Sequence, residues 1–447
     1  MHTKKALSTL VLIVLTLPGT SAYGQAQPSS SAELPAPRPS IKSAAPVPER
    51  SVPAQSVAVL RELVDDALEH NPAIAAMARS FDAMQARVPQ AKAWPQPMLE
   101  VGSMGNIVPF DVQNGDPSSG RIVTVTQEVM WPGKLSLMGK MAGAEAEAEW
   151  WAYEQMRREV VAEVKDSYFE LSYLTKAVEI IEKNRILMER ILKITEARYA
   201  VGRGMQTDVL KAQLEVAMLS EKLYMFEQRR RTAVARLNSL LYRNPDSPLG
   251  RPAEITPREF TIRLAELLEA ALTSPILKQQ RRRIDKEQYA VRLAEKQYYP
   301  DMSVSYTYVN RPGMPEMHGV MFGMKLPLYF WQKQRPAVVE AAAGAAAEQK
   351  RLENATTLLF FKIKDSYLMA TTADRLASLY GTAIIPQSAL VVESAIAAYE
   401  SGTVDYLMLL DSLVTLRTYE LGYYEQLSAK ERAIAMLEPL VGTPLRP

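Results

Sequence analysis

The chain has 447 residues, enough for a large core or for two or three ordinary domains. Its 52 basic and 50 acidic residues nearly cancel, which removes the electrostatic case for nucleic acid. There is no cysteine, which excludes disulfides, thiolate metal sites and cysteine nucleophiles, and the only histidines are His2, His70 and His318, too far apart for a paired-histidine motif.

At the N-terminus, Lys4 and Lys5 precede an apolar run over 6–17 and then the small residues Gly19, Thr20, Ser21 and Ala22. That pattern reads as a secretory signal peptide over 1–24. The run is short of the ~20 residues a bilayer span needs. No cysteine follows it to carry a lipid. Residues 25–56, with Pro35, Pro37, Pro39, Pro46, Pro48 and Pro53, read as a Pro/Ser-rich tether. No later stretch reads as a transmembrane helix, so any membrane crossing falls to strands.

A helical pattern follows over 57–93 and contains Ala67-Leu68 and then Asn71-Pro72; Ala271-Leu272 and Ser274-Pro275 take the same role later. Strands come next. Residues 97–104 alternate weakly and 121–129 better, with Val123 and Val125 on one side and Thr124 and Thr126 on the other. The segment 106–120 between them reads as a polar exposed loop. In the second half Met302, Val304, Tyr306 and Tyr308 alternate with Asp301, Ser303, Ser305 and Thr307. Val320, Phe322, Met324 and Leu326 then alternate with Gly319, Met321, Gly323 and Lys325. Period two with one apolar face fits a membrane β-strand or a soluble sheet laid over a core.

After each strand pair a very long helix opens, near Trp131-Pro132-Gly133-Lys134 and near 331–336, and runs to Tyr199 and Tyr399. At 1.5 Å per residue each is ~100 Å long. Val164, Tyr168, Leu171, Leu174, Val178 and Ile181 step by three and four, as in coiled-coil packing. The helices share Lys165-Asp166-Ser167-Tyr168 and Lys364-Asp365-Ser366-Tyr367. Each ends in a matching tip, Ala197-Arg198-Tyr199-Ala200-Val201-Gly202 and Ala397-Ala398-Tyr399-Glu400-Ser401-Gly402, with glycine where a left-handed residue closes a helix. Shorter helices return over 205–241 and 404–438. The chain therefore reads as a duplication: a first repeat over 57–243, a Pro-rich connector over 244–261, and a second repeat over 262–447. Four strands cannot close a barrel alone, so a membrane reading requires several copies to share one.

Two paired strands, a 65-residue-class helix and a Tyr-x-x-Gly tip, all occurring twice, resemble the TolC family of outer-membrane efflux proteins. The resemblance covers residue 57 to about 440. It implies a mainly α fold with a membrane β-barrel contribution, in which a homotrimer forms a shared 12-stranded barrel and an α-helical tube. It implies a Gram-negative outer membrane location with the helices in the periplasm, a periplasmic adaptor protein at the tips, and an inner-membrane pump of RND or ABC type behind it. Such a duct serves efflux or type I secretion, needs no cofactor and is not an enzyme. Adaptor docking is expected at Tyr199, Gly202, Arg203, Gly204, Asp208, Tyr399, Gly402 and Thr403, and Arg203 replaces the leucine common there. The periplasmic gate is expected at Asp405, Met408 and Asp411, with Met408 where a first acidic residue usually stands and Asp405 able to take its role. Tyr199 and Tyr399 are expected to pack at the tips. The membrane strands would present Val123, Val125, Val304, Tyr306, Tyr308, Val320, Phe322 and Met324. The Trp131-Pro132-Gly133-Lys134 motif resembles metal-efflux branches of the family.

Four other readings fit some of these residues. Either aspartate also fits a solvated tip charge or a helix cap. Met314, Met317, His318, Met321 and Met324 suggest a soft-metal cluster, but the alternation sends Met321 and Met324 to opposite faces. For the whole chain the alternatives are a soluble periplasmic coiled-coil scaffold, which leaves the strand pairs unexplained, and a secreted enzyme, for which no GxSxG elbow or phosphate loop exists.

Overall fold

The computed structural model describes residues 57–105, 107–108, 111–112 and 114–445. The expected signal peptide and tether lie outside them. The first half contains β1 (Val57–Ala58), α1 (Leu60–His70), α2 (Pro72–Lys92), β2 (Met98–Met104), β3 (Ile107–Val108), β4 (Asp111–Val112), β5 (Gly120–Val129), α3 (Lys134–Ala200), α4 (Gln206–Leu240) and β6 (Arg251–Pro252). The second contains α5 (Leu264–Ala271), α6 (Pro275–Lys296), β7 (Asp301–Asn310), β8 (Met317–Lys325), α7 (Gln334–Leu379), a π-helical turn (Tyr380–Ile384), α8 (Ile385–Ser401) and α9 (Tyr406–Val441).

Three expectations need correction. The pattern over 57–93 is two helices, because Asn71 leaves the helical region at ψ 122° and caps α2. Its side chain accepts from the Ala73 and Ile74 N–H groups at 2.9 and 3.4 Å, and Pro72 follows at a position that needs no donor. The 106–120 loop holds the small β3–β4 hairpin. Finally, the helical run 334–401 is apolar and long enough to cross a membrane by length and composition, contrary to the sequence reading. At ~100 Å the rod is several times longer than a bilayer core is thick.

The strands form one antiparallel sheet in the order β2-β5-β7-β8. Register alternates rows across it. Leu99, Val125, Tyr306 and Val320 make one row; Glu100, Thr124, Thr307 and Gly319 make the next. The polar face carries hydroxyl pairs, Thr124 Oγ1 with Thr307 Oγ1 and Thr126 Oγ1 with Ser305 Oγ, both at 3.0 Å. The apolar face is bare: Val101, Val304, Val320, Phe322 and Met324 are all exposed, Phe322 by 82%. A contiguous exposed apolar patch on a sheet marks an interaction surface.

The core lies in the helices. Val160, Val164, Leu171, Leu174, Ile181, Met188 and Ile191 bury one stripe of α3 at spacings of three, four and seven. Close to the sheet, α2, α3, α6 and α7 lie side by side; toward the tips the order is α4, α3, α9 and α8. The described helices thus lie as a strip four wide, with α4 and α8 at the edges near the tips. In the connector, β6 pairs in parallel with β1.

Candidate functional site

Both tips close by the same hydrogen bonds. In the first, Gly202 has φ +75°, its N–H donates to Tyr199 O at 3.0 Å, and Arg203 N–H donates to Arg198 O at 2.9 Å. In the second, Gly402 has φ +82°, its N–H donates to Tyr399 O at 3.1 Å, and Thr403 N–H donates to Ala398 O at 2.9 Å. Positive φ is what glycine tolerates and other residues resist. The turns therefore have one geometry, but their surroundings differ.

Tyr399 is buried between the two hairpins. Its hydroxyl meets Thr195 Oγ1 at 3.2 Å, and the Arg198 guanidinium sits 4.6 Å from its ring centroid and donates to its carbonyl oxygen. Tyr406 packs edge-on against it. Tyr199, its repeat counterpart, is 48% exposed. Packing by the tip tyrosines thus holds for Tyr399 within one chain and not for Tyr199. The cause is local: Tyr399 meets Thr195 and Arg198 of α3, and among the described residues nothing equivalent covers Tyr199.

Asp405 caps α9, its Oδ1 accepting from Met408 N–H at 3.0 Å. The first tip has no side-chain cap, since Met205 stands at that place, and Asp208 lies one turn in. Asp405, Met408 and Asp411 are all exposed. Behind them lies a pair absent from the sequence reading. Arg417 Nη1 donates to Glu215 Oε1 at 2.8 Å, joining α9 to α4, and both side chains are less than a tenth exposed. Burial, then the nearby Glu215 charge, pushes the Tyr406 hydroxyl well above its ordinary range. The signal for this pair was available: Arg417 falls four residues after Leu413, on an otherwise apolar stripe.

The sheet joins the helices through a second cluster. Lys134 Nζ donates to Asp301 Oδ1 at 2.8 Å and to Tyr299 O at 3.1 Å, and Trp131 N–H donates to Asp301 Oδ1 at 2.8 Å. Trp131 stacks on Tyr299, with Trp94, Tyr329 and Trp331 exposed at the same level. An aromatic belt at one end of an apolar sheet is the pattern of a membrane interface. The methionines do not converge. Met321 shares a row with Ser305 on the polar face and Met324 with Met302 on the apolar face. Among the described residues, no three His, Cys, Asp or Glu side chains come together to hold a metal ion.

The family model for outer membrane efflux proteins matches residues 63–241 and 267–443, one match per repeat. The chain belongs to the outer membrane efflux protein family. It is an outer-membrane efflux channel and not an enzyme. Among curated proteins it is similar to the cobalt-zinc-cadmium resistance protein CzcC of Cupriavidus metallidurans, at 22% identity over 381 residues, 83% of this chain and 86% of that one. Among solved structures it is similar to the outer membrane protein VceC of Vibrio cholerae, with TM-score 0.73, 18% identity, and coverage of 87% and 97% of the two chains. It is also similar to the CmeC outer membrane channel of Campylobacter jejuni, with TM-score 0.74, 15% identity, and coverage of 86% and 85%. At those identities the structures speak for the fold.

Proposed function

We propose that three copies of this chain assemble into one duct, pooling their strands into a twelve-stranded barrel and their helices into a periplasmic tube. The observation that supports this most is the four-stranded sheet itself. Its outer strands β2 and β8 each have a neighbour on one side only, and its apolar face is bare. In hydrocarbon every backbone group needs a partner, so the edges of one copy must pair with those of others. Val123, Val125, Val304, Tyr306, Tyr308, Val320, Phe322 and Met324 face lipid in this reading. The tips, with Tyr199, Gly202, Arg203, Gly204, Asp208, Gly402 and Thr403, form the mouth that a periplasmic adaptor protein grips, and an inner-membrane pump loads the duct through it. Asp405 and Asp411 from three copies ring the mouth and favour cations. The cargo is divalent metal ions, as the likeness to a cobalt-zinc-cadmium resistance protein suggests.

Extraction and growth test these statements separately. The duct should resist carbonate extraction and run as a heat-sensitive trimer on gels; release by carbonate as a monomer would favour a soluble scaffold. A deletion strain should lose resistance to zinc, cobalt or cadmium, while sensitivity to drugs alone would reject metal cargo and keep the duct.

A further inference from the structure

We propose that a groove between α7 and α9 binds a lipophilic organic cation, with Asp365 as the carboxylate that receives its charge. The groove has a volume of about 580 Å³, within the size range of sites for drug-sized molecules. Asp365, Leu368, Met369 and Ala373 of α7 form one wall, and Ala433 and Met436 of α9 form the other. Asp166 of α3 and Arg432 of α9 also line it.

The internal repeat explains why Asp365 is available. Asp166 and Asp365 hold the same place in the shared signature. In the first repeat the acid is neutralised. Arg432 Nε donates to Asp166 Oδ1 at 2.7 Å, and Arg236 Nη1 lies 3.6 Å from Asp166 Oδ2. Arg432 Nη2 also lies 3.8 Å from Glu170 Oε2. In the second repeat methionines replace two members of this network. Gly402, Leu410 and Leu437 stand where Gly202, Leu210 and Leu237 stand, which puts Met436 in the place of Arg236. By the signature, Met369 takes the place of Glu170. Asp365 is exposed and has no ion-pair partner among the described residues. One uncompensated carboxylate beside alkyl and thioether groups suits a cation with an apolar skin, and methionine adapts its shape to bulky ligands. A bare metal ion would want several converging donors, and only one free carboxylate is here.

The groove lies on the open face of the strip. The connector covers the other face: Ala253 N–H donates to the Tyr168 hydroxyl at 2.9 Å, and Lys430 Nζ donates to Arg258 O at 2.6 Å. On α9 the residues toward the connector are Lys430, Ile434 and Glu438, and those in the groove include Ala429, Arg432 and Met436. At about 100° per residue the two sets lie on opposite sides of the helix. Three connectors inside a duct would fill its bore, so in the three-copy reading the connector faces outward and the groove faces the bore. Its place in the bore rests on that reading; the binding itself does not. A cation in transit meets both charge and apolar surface there, which adds organic cations to the duct's cargo.

Tetraphenylphosphonium is the probe, titrated by calorimetry into the full-length protein in amphipol, with amphipol alone as the blank. Saturable binding is expected, and Asp365→Asn should weaken it by about fivefold, the upper range for a solvent-exposed charge pair. Met436→Arg puts a guanidinium beside Asp365 as Arg236 stands beside Asp166, and should weaken binding at least as much with an unchanged melting temperature. Equal binding by the parent and Asp365→Asn overturns the site. Cadmium ions that bind in an Asp365-dependent way, where tetraphenylphosphonium does not, overturn the ligand class. In planar bilayers tetraphenylphosphonium should block single-channel current, and Asp365→Asn should relieve the block. Asp365-dependent binding without block overturns the placement in the bore and keeps the site. Sedimentation that finds only monomer instead overturns the three-copy reading.

Discussion

Removing Arg417 should loosen the tip end of the protein far more than removing the whole Glu215–Arg417 pair. Both groups are buried, at 9% and 5% side-chain exposure, and held at 2.8 Å. With Arg417→Met, the Glu215 carboxylate stays in an apolar stripe with no cation, and stranding one member of a buried pair costs about 3–5 kcal/mol. The local opening free energy should therefore fall by about 3–5 kcal/mol, or a factor of about 10²–10⁴ in amide exchange. In the double variant Glu215→Met with Arg417→Met, apolar side chains of similar volume fill the site, and stability should return to within about 1 kcal/mol of the parent. Hydrogen exchange read by mass spectrometry over 206–220 and 406–420 measures this directly. If the double variant exchanges as fast as the single, lost packing and not a stranded charge is the cause. If the single variant exchanges like the parent, water reaches the pair and the burial argument is wrong.

Three further outcomes follow from the same region. Asp405 acts as a cap and, in the proposed ring, as a charge: Asp405→Ser should keep the cap and α9 stability, whereas Asp405→Ala should cost about 1 kcal/mol in thermal unfolding. If both variants alter conductance in planar bilayers equally, the charge matters at the mouth, and if only Asp405→Ala does, the cap alone matters. Asp411→Ala should raise single-channel conductance and weaken block by divalent cations; unchanged values would remove Asp411 from the gate. Burial pushes the Glu420 carboxyl up, partly offset by the Lys183 charge. An acid whose folded value is raised is best tolerated when protonated, and it costs stability as pH climbs from the ordinary carboxylate range through that raised value. Glu420→Gln should therefore raise the melting temperature at pH 8 and give no gain at pH 4, and a pH-independent gain would point to packing instead.

Features that repeat along the chain were legible in the sequence. The strand pairs show as period-two alternation, and the tips show because glycine is the residue that accepts their backbone angle. Pairings between distant helices were not legible. Asp166 with Arg432 and Glu215 with Arg417 join residues more than two hundred apart, and no local pattern links them. The difference between Tyr199 and Tyr399 was hidden for a related reason: the shared Ala-x-Tyr-x-x-Gly pattern met different neighbours. Asp405 read as cap or gate charge from its position alone, and the bond to Met408 N–H establishes the cap without excluding the charge. The small pairings of β1 with β6 and β3 with β4 are two residues per strand, too short for alternation to register.

The π-helical turn at 380–384 records an edit. Lys165 to Lys364 is one residue less than Tyr199 to Tyr399, so the second repeat gained a residue between signature and tip. Within an α-helix one extra residue turns everything beyond it by about 100°. Here the surplus is looped into a wider turn, where Ile385 N–H reaches back to Tyr380 O and Pro386, with no N–H, could not have continued the α pattern. The π turn is packed in place, since a Cβ on Gly381 would stand 2.9 Å from the Tyr423 ring, and one on Gly422 3.2 Å from the Tyr380 ring. The chain thus holds both arms of an insertion experiment, the unedited helix in its first half and the edited one in its second. The edit left Tyr399 facing the core, so a one-residue deletion inside the turn should be tolerated where the same deletion in α8 would swing the mouth out of phase.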